Sequence, residues 1–182
     1  ALTAQTTGNL NVAIGASALG SNTVGDRNVA IGYNALTTYN PSGNEDSYNI
    51  AIGHAAGQSV TTGNVNTIVG GLAGDALTTG AGNTFLGYAA GSTETTGGNN
   101  VLVGQAGQAQ ITVNDTVAVG DGALQTNTKS SKNTAVGRSA LRNLNHTSAT
   151  DGYNTALGYH AGYAVTTATS NTLIGAQTGA SL

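Results

Sequence analysis

A short run of apolar and β-branched residues, bounded by Asn and Gly, recurs along the whole chain, and such short bounded runs predict β-strands. The typical copy reads Asn, a β-branched residue, an apolar residue, an aliphatic residue and Gly, as in residues 11–15. The glycines that close the ten copies are Gly15, Gly32, Gly53, Gly70, Gly87, Gly104, Gly120, Gly137, Gly158 and Gly175. Subtracting neighbouring numbers gives spacings of 17, 21, 17, 17, 17, 16, 17, 21 and 17 residues. Such a repeat indicates stacked rungs, so residues 1–182 are predicted to form one all-β domain, a parallel β-solenoid of ten rungs.

The residue before each repeat glycine is aliphatic in all ten copies, which predicts that it lies in the inner core. These residues are Ile14, Ile31, Ile52, Val69, Leu86, Val103, Val119, Val136, Leu157 and Ile174. The residue three before the glycine is always Val, Ile or Thr, and β-branched residues favour strands over helices. Ala stands three after the glycine in most copies, which indicates a thin roll with two closely spaced layers.

The middle residue of each motif is also apolar, although it should lie on the opposite side of the strand from the core column. A strand that is apolar on both faces is usually buried on both. The second face is therefore predicted to pack against another copy of the chain, with Ile68, Phe85, Leu102 and Leu173 as the oligomer interface. The alternatives are a wider roll that encloses these side chains or an exposed stripe made mostly of Ala.

The residue that follows each repeat glycine varies most between copies, and it supplies the candidate receptor surface. The candidates in this column are Tyr33, His54, Tyr88, Gln105, Arg138 and Tyr159. Stacked rungs would place these side chains about 4.8 Å apart along one line. Aromatic rings with polar edges in such a line suit contacts with a glycan. The alternative is an exposed column that simply tolerates variation.

Two four-residue insertions interrupt the 17-residue spacing, in residues 38–48 and 142–153, and both end in Tyr-Asn. Insertions in solenoids usually form surface loops, so both segments are predicted to project sideways from the rod. The adjacent acids Glu45 and Asp46 in the first insertion are interpreted as part of a solvated loop tip.

Composition excludes several classes of function. Charged residues make up 7% of the chain, the net charge is −3 and only five residues are Lys or Arg, too few for a basic surface that binds phosphates or anionic membranes. No apolar run approaches the length needed to span a bilayer. There is no Cys, so disulfides and thiolate chemistry are excluded. The chain starts at Ala1 without a signal peptide, which suggests a processed product or a segment of something longer.

Residues that could carry catalysis are few and scattered. His54, His146 and His160 form no metal-ligand pattern, and no cofactor or metal is predicted. Asp115 and Asp121 could lie close together across the shortened rung, but a glycosidase-like pair is a minor alternative. The chain is therefore predicted not to be an enzyme.

The motif resembles a known type of repeat. Residues 28–36, Asn-Val-Ala-Ile-Gly-Tyr-Asn-Ala-Leu, resemble the YadA-like head repeats of trimeric autotransporter adhesins, and residues 154–162 resemble the related repeats of phage tail fibres. The resemblance implies a left-handed parallel β-roll that trimerises about its long axis and binds host surfaces or matrix. It also implies a location outside the cell, on the cell surface or on the virion surface.

The sequence thus favours a homotrimeric rod that presents an attachment surface. Its expected partners are other copies of the chain and a host-surface glycan or protein, without nucleic acid and without membrane insertion. Two alternatives stay open: a subunit of a self-assembling extracellular filament, possible because the end rungs of a solenoid are unpaired, and, more remotely, an ice-binding solenoid.

Overall fold

The computed structural model describes residues 1–43 and 46–179, and it confirms an all-β parallel solenoid. The strands are β1 (Val12–Ile14), β2 (Val29–Ile31), β3 (Ile50–Ile52), β4 (Thr67–Val69), β5 (Thr84–Leu86), β6 (Val101–Val103), β7 (Val117–Val119), β8 (Ser130–Ser131), β9 (Thr134–Val136), β10 (Thr150–Asp151), β11 (Thr155–Leu157) and β12 (Thr172–Ile174). Ten of them form one sheet in the order β1-β2-β3-β4-β5-β6-β7-β9-β11-β12, and β8 pairs with β10 in a second sheet. The described residues contain no helix.

Every strand of the large sheet pairs in parallel with the same three positions of the next rung. Ile31 pairs with Ile52 across the first insertion, and Val136 pairs with Leu157 across the second. The extra residues are therefore absorbed outside the strands and do not shift the register. Nine spacings of about 4.8 Å give the sheet a length of about 43 Å.

A ladder of buried asparagines precedes the strands and accounts for the conserved first position of the motif within this chain. In one step, the backbone N–H and side-chain Nδ2 of Asn66 donate to Oδ1 of Asn49 at 3.0 and 3.2 Å. Asn66 Nδ2 also donates to the carbonyl of Gly80 at 2.9 Å. A buried amide must have partners to avoid a desolvation cost, and here the neighbouring rungs provide them. Thr116 replaces Asn in the seventh rung and interrupts the ladder.

The repeat glycine allows successive rungs to approach closely. At Gly53, φ is +138°, and a Cβ there would lie 2.5 Å from the carbonyl oxygen of Gly70 in the next rung. No other residue could occupy that position without moving the backbone. A contact under 3 Å with the next repeat glycine recurs at eight of the ten motifs, and φ is positive at all ten, which explains why each motif ends in Gly.

The sequence analysis correctly assigned the two sides of each strand but reversed which side faces the core. The middle residue is buried, as at Ala30 and Ala51, whereas the flanking residues point outward, as at Ile14 and Leu86. The reason is the narrowness of the roll. An inward Ala faces a second buried Ala from the opposite layer, such as Ala35, and this leaves no room for an aliphatic side chain at every inward position.

The corner column, four residues after each repeat glycine and three after it in the shortened rung, balances the volume of the inward strand residues. It holds Leu19, Leu36, Leu124 and Leu141 where both adjacent inward residues are Ala, and Gly57, Gly74, Gly91, Gly107 and Gly162 where at least one of them is larger. A Cβ on Gly74 would lie 2.9 Å from Cδ2 of Phe85, and one on Gly57 would lie 3.0 Å from Cδ1 of Ile68. A corner Leu therefore accompanies inward Ala residues, and a corner Gly accompanies a larger inward residue. In both cases the space inside the rung is filled without overlap.

Candidate assembly and recognition surfaces

The largest apolar surface is the outward side of the ten-stranded sheet, called here the strand face. It consists of the first and third residues of each strand: Val12, Ile14, Val29, Ile31, Ile50, Ile52, Thr67, Val69, Thr84, Leu86, Val101, Val103, Val117, Val119, Thr134, Val136, Thr155, Leu157, Thr172 and Ile174. None is buried and none is charged. Ile14, Leu86 and Leu157 are 59%, 47% and 48% exposed. An apolar strip about 43 Å long is therefore open to solvent in the single chain.

The predicted interface residues do not lie on this face. Ile68, Phe85 and Leu102 are 0% exposed and Leu173 is 8% exposed, all within one chain. They fill the roll opposite the glycines of the corner column, which makes the wider-roll alternative the correct one for these rungs. The assignment of these four residues to an oligomer interface was therefore wrong, because the inward side of the strand was taken for the outward one.

The predicted receptor residues do form one line, called here the aromatic column, beside the strand face. Tyr33 and His54 stack with ring centroids 5.5 Å apart and an interplanar angle of 20°. Tyr88 is 63% exposed, and Tyr159 is exposed near the other end. Gln105 is half-buried and Arg138 is exposed. The line exists as expected, while its role in recognition stays a prediction.

A second aromatic group lies around the corner from Tyr159, and the sequence analysis missed it. His160 stacks on Tyr159 at 4.0 Å between ring centroids and on Tyr163 at 4.8 Å. Arg142 lies over the Tyr163 ring, with its Cζ 6.0 Å from the centroid. His160 and Tyr163 belong to different repeat columns, so alignment of columns alone could not bring them together.

Each insertion is tied back to the preceding rung by a cation–aspartate–tyrosine cluster, called here a clamp. In the first clamp, Arg27 pairs with Asp46 at 2.8 Å, and the Tyr48 hydroxyl donates to Asp46 at 3.1 Å. The cation also lies over the Tyr48 ring, 5.8 Å from its centroid. The insertions are therefore fastened loops, and Glu45, the other acid predicted at the first tip, lies outside the described residues.

The second clamp repeats the first six rungs further along. Lys132 pairs with Asp151 at 2.7 Å, the Tyr153 hydroxyl donates to Asp151 at 3.1 Å, and Lys132 lies 5.4 Å from the Tyr153 centroid. The hydrogen bond from Lys132 lowers the pKa of Asp151, and the same bond raises the pKa of Lys132. The sequence signal was available: both insertions end in Asp-X-Tyr-Asn, and in both a cation stands 19 residues before the Asp.

Parts of both insertions keep the path of an ordinary rung. Tyr39 and Leu144 are fully buried in the roll, and the backbone N–H of Asn40 donates to the carbonyl of Thr61 in the next rung at 2.8 Å. The segments predicted to project, residues 38–48 and 142–153, therefore begin inside the solenoid.

Chemistry of other kinds is sparse. The described residues contain no group of three His, Cys, Asp or Glu side chains placed to hold a metal ion. Asp115 accepts a hydrogen bond from Asn99, whereas Asp121 pairs with Arg138 at 3.5 Å, and the two acids lie beyond opposite ends of β7. They do not form the carboxylate pair considered from the sequence. Across residues 1–43 and 46–179, no helix has the length and apolar character required to cross a membrane.

One buried carboxyl group lies inside the roll. Glu94 is fully buried, and its carboxylate accepts backbone hydrogen bonds from Gly97 at 2.7 Å and from Thr95 at 3.0 Å. Burial raises the pKa of Glu94, and the backbone donors oppose that rise. The group has no access to solvent, so it contributes to the interior and not to a reactive surface.

Comparison of the chain with protein-family models, with curated proteins and with solved structures gave no match.

Proposed function

We propose that this chain is a non-catalytic structural rod that assembles with copies of itself through the strand face and presents its lateral columns for attachment outside the cell. One observation carries the proposal: an uncharged, mostly aliphatic sheet face runs the full length of the rod and is uncovered in the single chain.

Parallel sheets are normally covered on both faces, because their backbone and side chains are suited to a dry environment. Monomeric proteins rarely expose contiguous apolar patches larger than a few hundred Å². The strand face is an unbroken strip about 43 Å long. Its burial would remove several aliphatic side chains per chain from water, each worth about 1.5–3 kcal/mol when fully buried.

A second copy of the chain is the occupant that best fits this face. The face holds no charge that would select a charged partner, and its period is set by the rungs themselves, so only a surface with the same period can match it along its full length. Three narrow faces closing about a common axis would cover both outward columns of every chain. We therefore propose a homotrimer, as the resemblance to adhesin heads and tail fibres implies.

Adjacent residues of β5 provide the test. Leu86→Asp places a carboxylate on the strand face, and in the assembly the copies would hold these charges together without partners. We expect a folded but dissociated chain, measured by circular dichroism together with sedimentation. Phe85→Asp places the charge inside the roll and should unfold the chain, while Thr96→Asp on an exposed turn should leave the trimer unchanged.

Wild-type protein that sediments as a folded monomer would refute the assembly. So would a Leu86→Asp variant that keeps the wild-type mass.

A further inference from the structure

The aromatic column contains one empty step, at Gly71, between the His54 ring and the Tyr88 ring. Every other described rung carries at least a methyl group at this position. A Cβ on Gly71 would meet only one atom within 4 Å, Cδ2 of Tyr88 at 3.7 Å. The space above Gly71 is therefore open, with an aromatic side chain in the rung before it and another in the rung after it.

The fold does not require glycine at this position. Gly70, next to it, has φ of +138° and a Cβ there would collide with the carbonyl of Gly87 at 2.2 Å, so the repeat glycine is obligatory. Gly71 has no left-handed φ and no close backbone neighbour. An L-residue would fit there without strain, and the other rungs carry one. The missing side chain is thus a property of the surface, not of the backbone.

The dimensions of the gap match one inserted ring. His54 and Tyr88 are two rungs apart, about 9.6 Å along the rod, so a ring at the level of Gly71 would lie one rung spacing, about 4.8 Å, from the level of each residue. The Tyr88 ring already comes within 3.7 Å of a Cβ placed on Gly71, which is stacking distance. Aromatic rings in proteins pack at centroid distances of about 4.5–7 Å. The Tyr33–His54 pair shows that this column already stacks rings one rung apart, at 5.5 Å.

We infer that the step at Gly71 is a binding slot for one neutral sugar ring of a glycan, which completes the stack Tyr33–His54–sugar–Tyr88. A pyranose has apolar C–H faces that pack on aromatic rings and a rim of hydroxyl groups that needs water or hydrogen bonds. In this slot its faces would meet the two side chains and its rim would point to solvent, since His54 and Tyr88 are both exposed. A net charge of −3 and the absence of a cation in the Tyr33, His54, Gly71 and Tyr88 steps favour a neutral sugar over an acidic one.

This inference deepens the proposed attachment role, but the slot belongs to one chain and can be tested independently of assembly. Wild-type protein is titrated with oligomers of glucose and of N-acetylglucosamine, followed by saturation-transfer NMR and by tyrosine fluorescence, which is suitable because the chain has seven Tyr and no Trp. Gly71→Gln fills the slot with the side chain that the column carries at Gln105. We expect it to weaken binding about tenfold or more, with Tyr88→Ala acting in the same direction.

Thr96→Gln, which adds the same side chain to an exposed turn, is the matched control and should bind like the wild type. Equal binding by wild type and Gly71→Gln would overturn the inference, as would the absence of binding to either saccharide series. Tighter binding of phenylalanine amide than of any saccharide would identify an aromatic side chain of a protein partner instead, and would also overturn it.

The titration is repeated on the dissociated Leu86→Asp chain, so that the two proposals fail separately. A wild-type trimer that binds no saccharide would support the assembly and contradict the slot. A wild-type monomer that binds saccharide, with binding lost in Gly71→Gln, would contradict the assembly and support the slot. Binding by the dissociated chain but not by the trimer would show that a neighbouring copy covers Gly71, and the slot would then have no role in the rod.

Discussion

At the scale of single residues, the polar side chains buried in the roll differ in whether they have hydrogen-bond partners. The seven-after column, seven residues beyond each repeat glycine, points inward and holds both polar and apolar side chains. Asn127 in this column is satisfied, because its amide exchanges hydrogen bonds with Ser130 at 2.8 and 2.9 Å. Gln110, its equivalent in the shortened rung, is fully buried, and neither polar atom of its amide has a partner among the described residues.

This difference predicts opposite effects of the same substitution. Gln110→Leu should raise the free energy of unfolding by about 1–3 kcal/mol, because it removes an unsatisfied buried amide and introduces the residue found at Leu77 and Leu144. Asn127→Leu should lower it by a similar amount, because the Ser130 backbone groups lose their partners. Urea unfolding of both variants is the measurement. A destabilising Gln110→Leu would show that the amide has a partner, such as a bound water.

At the scale of the rung, comparing two columns of the repeat predicts more about the packing than each column does by itself. Parity along each strand predicted two distinct sides and the register of the sheet, because a β-strand has a period of two residues. Parity cannot say which side is inside. The information lay in a second comparison, between the inward strand residue and the corner column: Leu36 stands beside Ala30 and Ala51, whereas Gly74 stands beside Ile68 and Phe85. The corner residue is large where the inward strand residues are small, and small where they are large. The two positions must therefore lie in the same enclosed space.

The clamps and the His160 stack were beyond this kind of reasoning for a different reason. The clamps join residues of different columns and different rungs, such as Lys132 with Asp151, and the His160 stack joins different columns of one rung. The directions of these side chains depend on the left-handed backbone at Lys132, Tyr153 and His160. Column alignment treats each position as a line along the rod and does not predict contacts across lines.

The exchange of volume can be tested by a double substitution in adjacent rungs. Ile68→Ala should cost about 2–5 kcal/mol by opening a cavity. Gly57→Leu alone should also destabilise, because its side chain would collide with Ile68 Cδ1. Together they recreate the arrangement of Leu36, in which a corner Leu lies between two inward Ala residues, and most of the loss should be recovered. Additive losses in thermal or urea unfolding would show that the two positions do not share a space.

At the scale of the whole molecule, the two sides of the sheet have different tasks. The inner side closes a roll so thin that Ala and Gly dominate it, which limits the apolar area that one chain can bury. The outer side carries the larger aliphatic residues, such as Ile14, Leu86 and Ile174, and about half of each of these side chains stays exposed in the single chain. Under the proposed assembly, much of the stability of the fold would therefore come from contacts between chains.

That division predicts how stability responds to protein concentration. If folded chains are held as trimers, mass action makes the unfolding midpoint rise as total protein is increased, because folded chains bind one another and unfolded chains do not. Leu86→Asp, which should remain folded but dissociated, should melt at a lower temperature that is independent of concentration.

The strand face is uncharged, so added salt should leave the wild-type concentration dependence in place instead of weakening it as it would an ion-paired interface. Calorimetry over a hundredfold range of concentration measures this, with sedimentation at each point to confirm the mass. A wild-type midpoint that does not change over that range, in a protein that sediments as a trimer before heating, would mean that the trimer dissociates into folded chains below the unfolding temperature; the roll alone would then account for the stability, and the outer aliphatic residues would serve attachment between rods that are already complete.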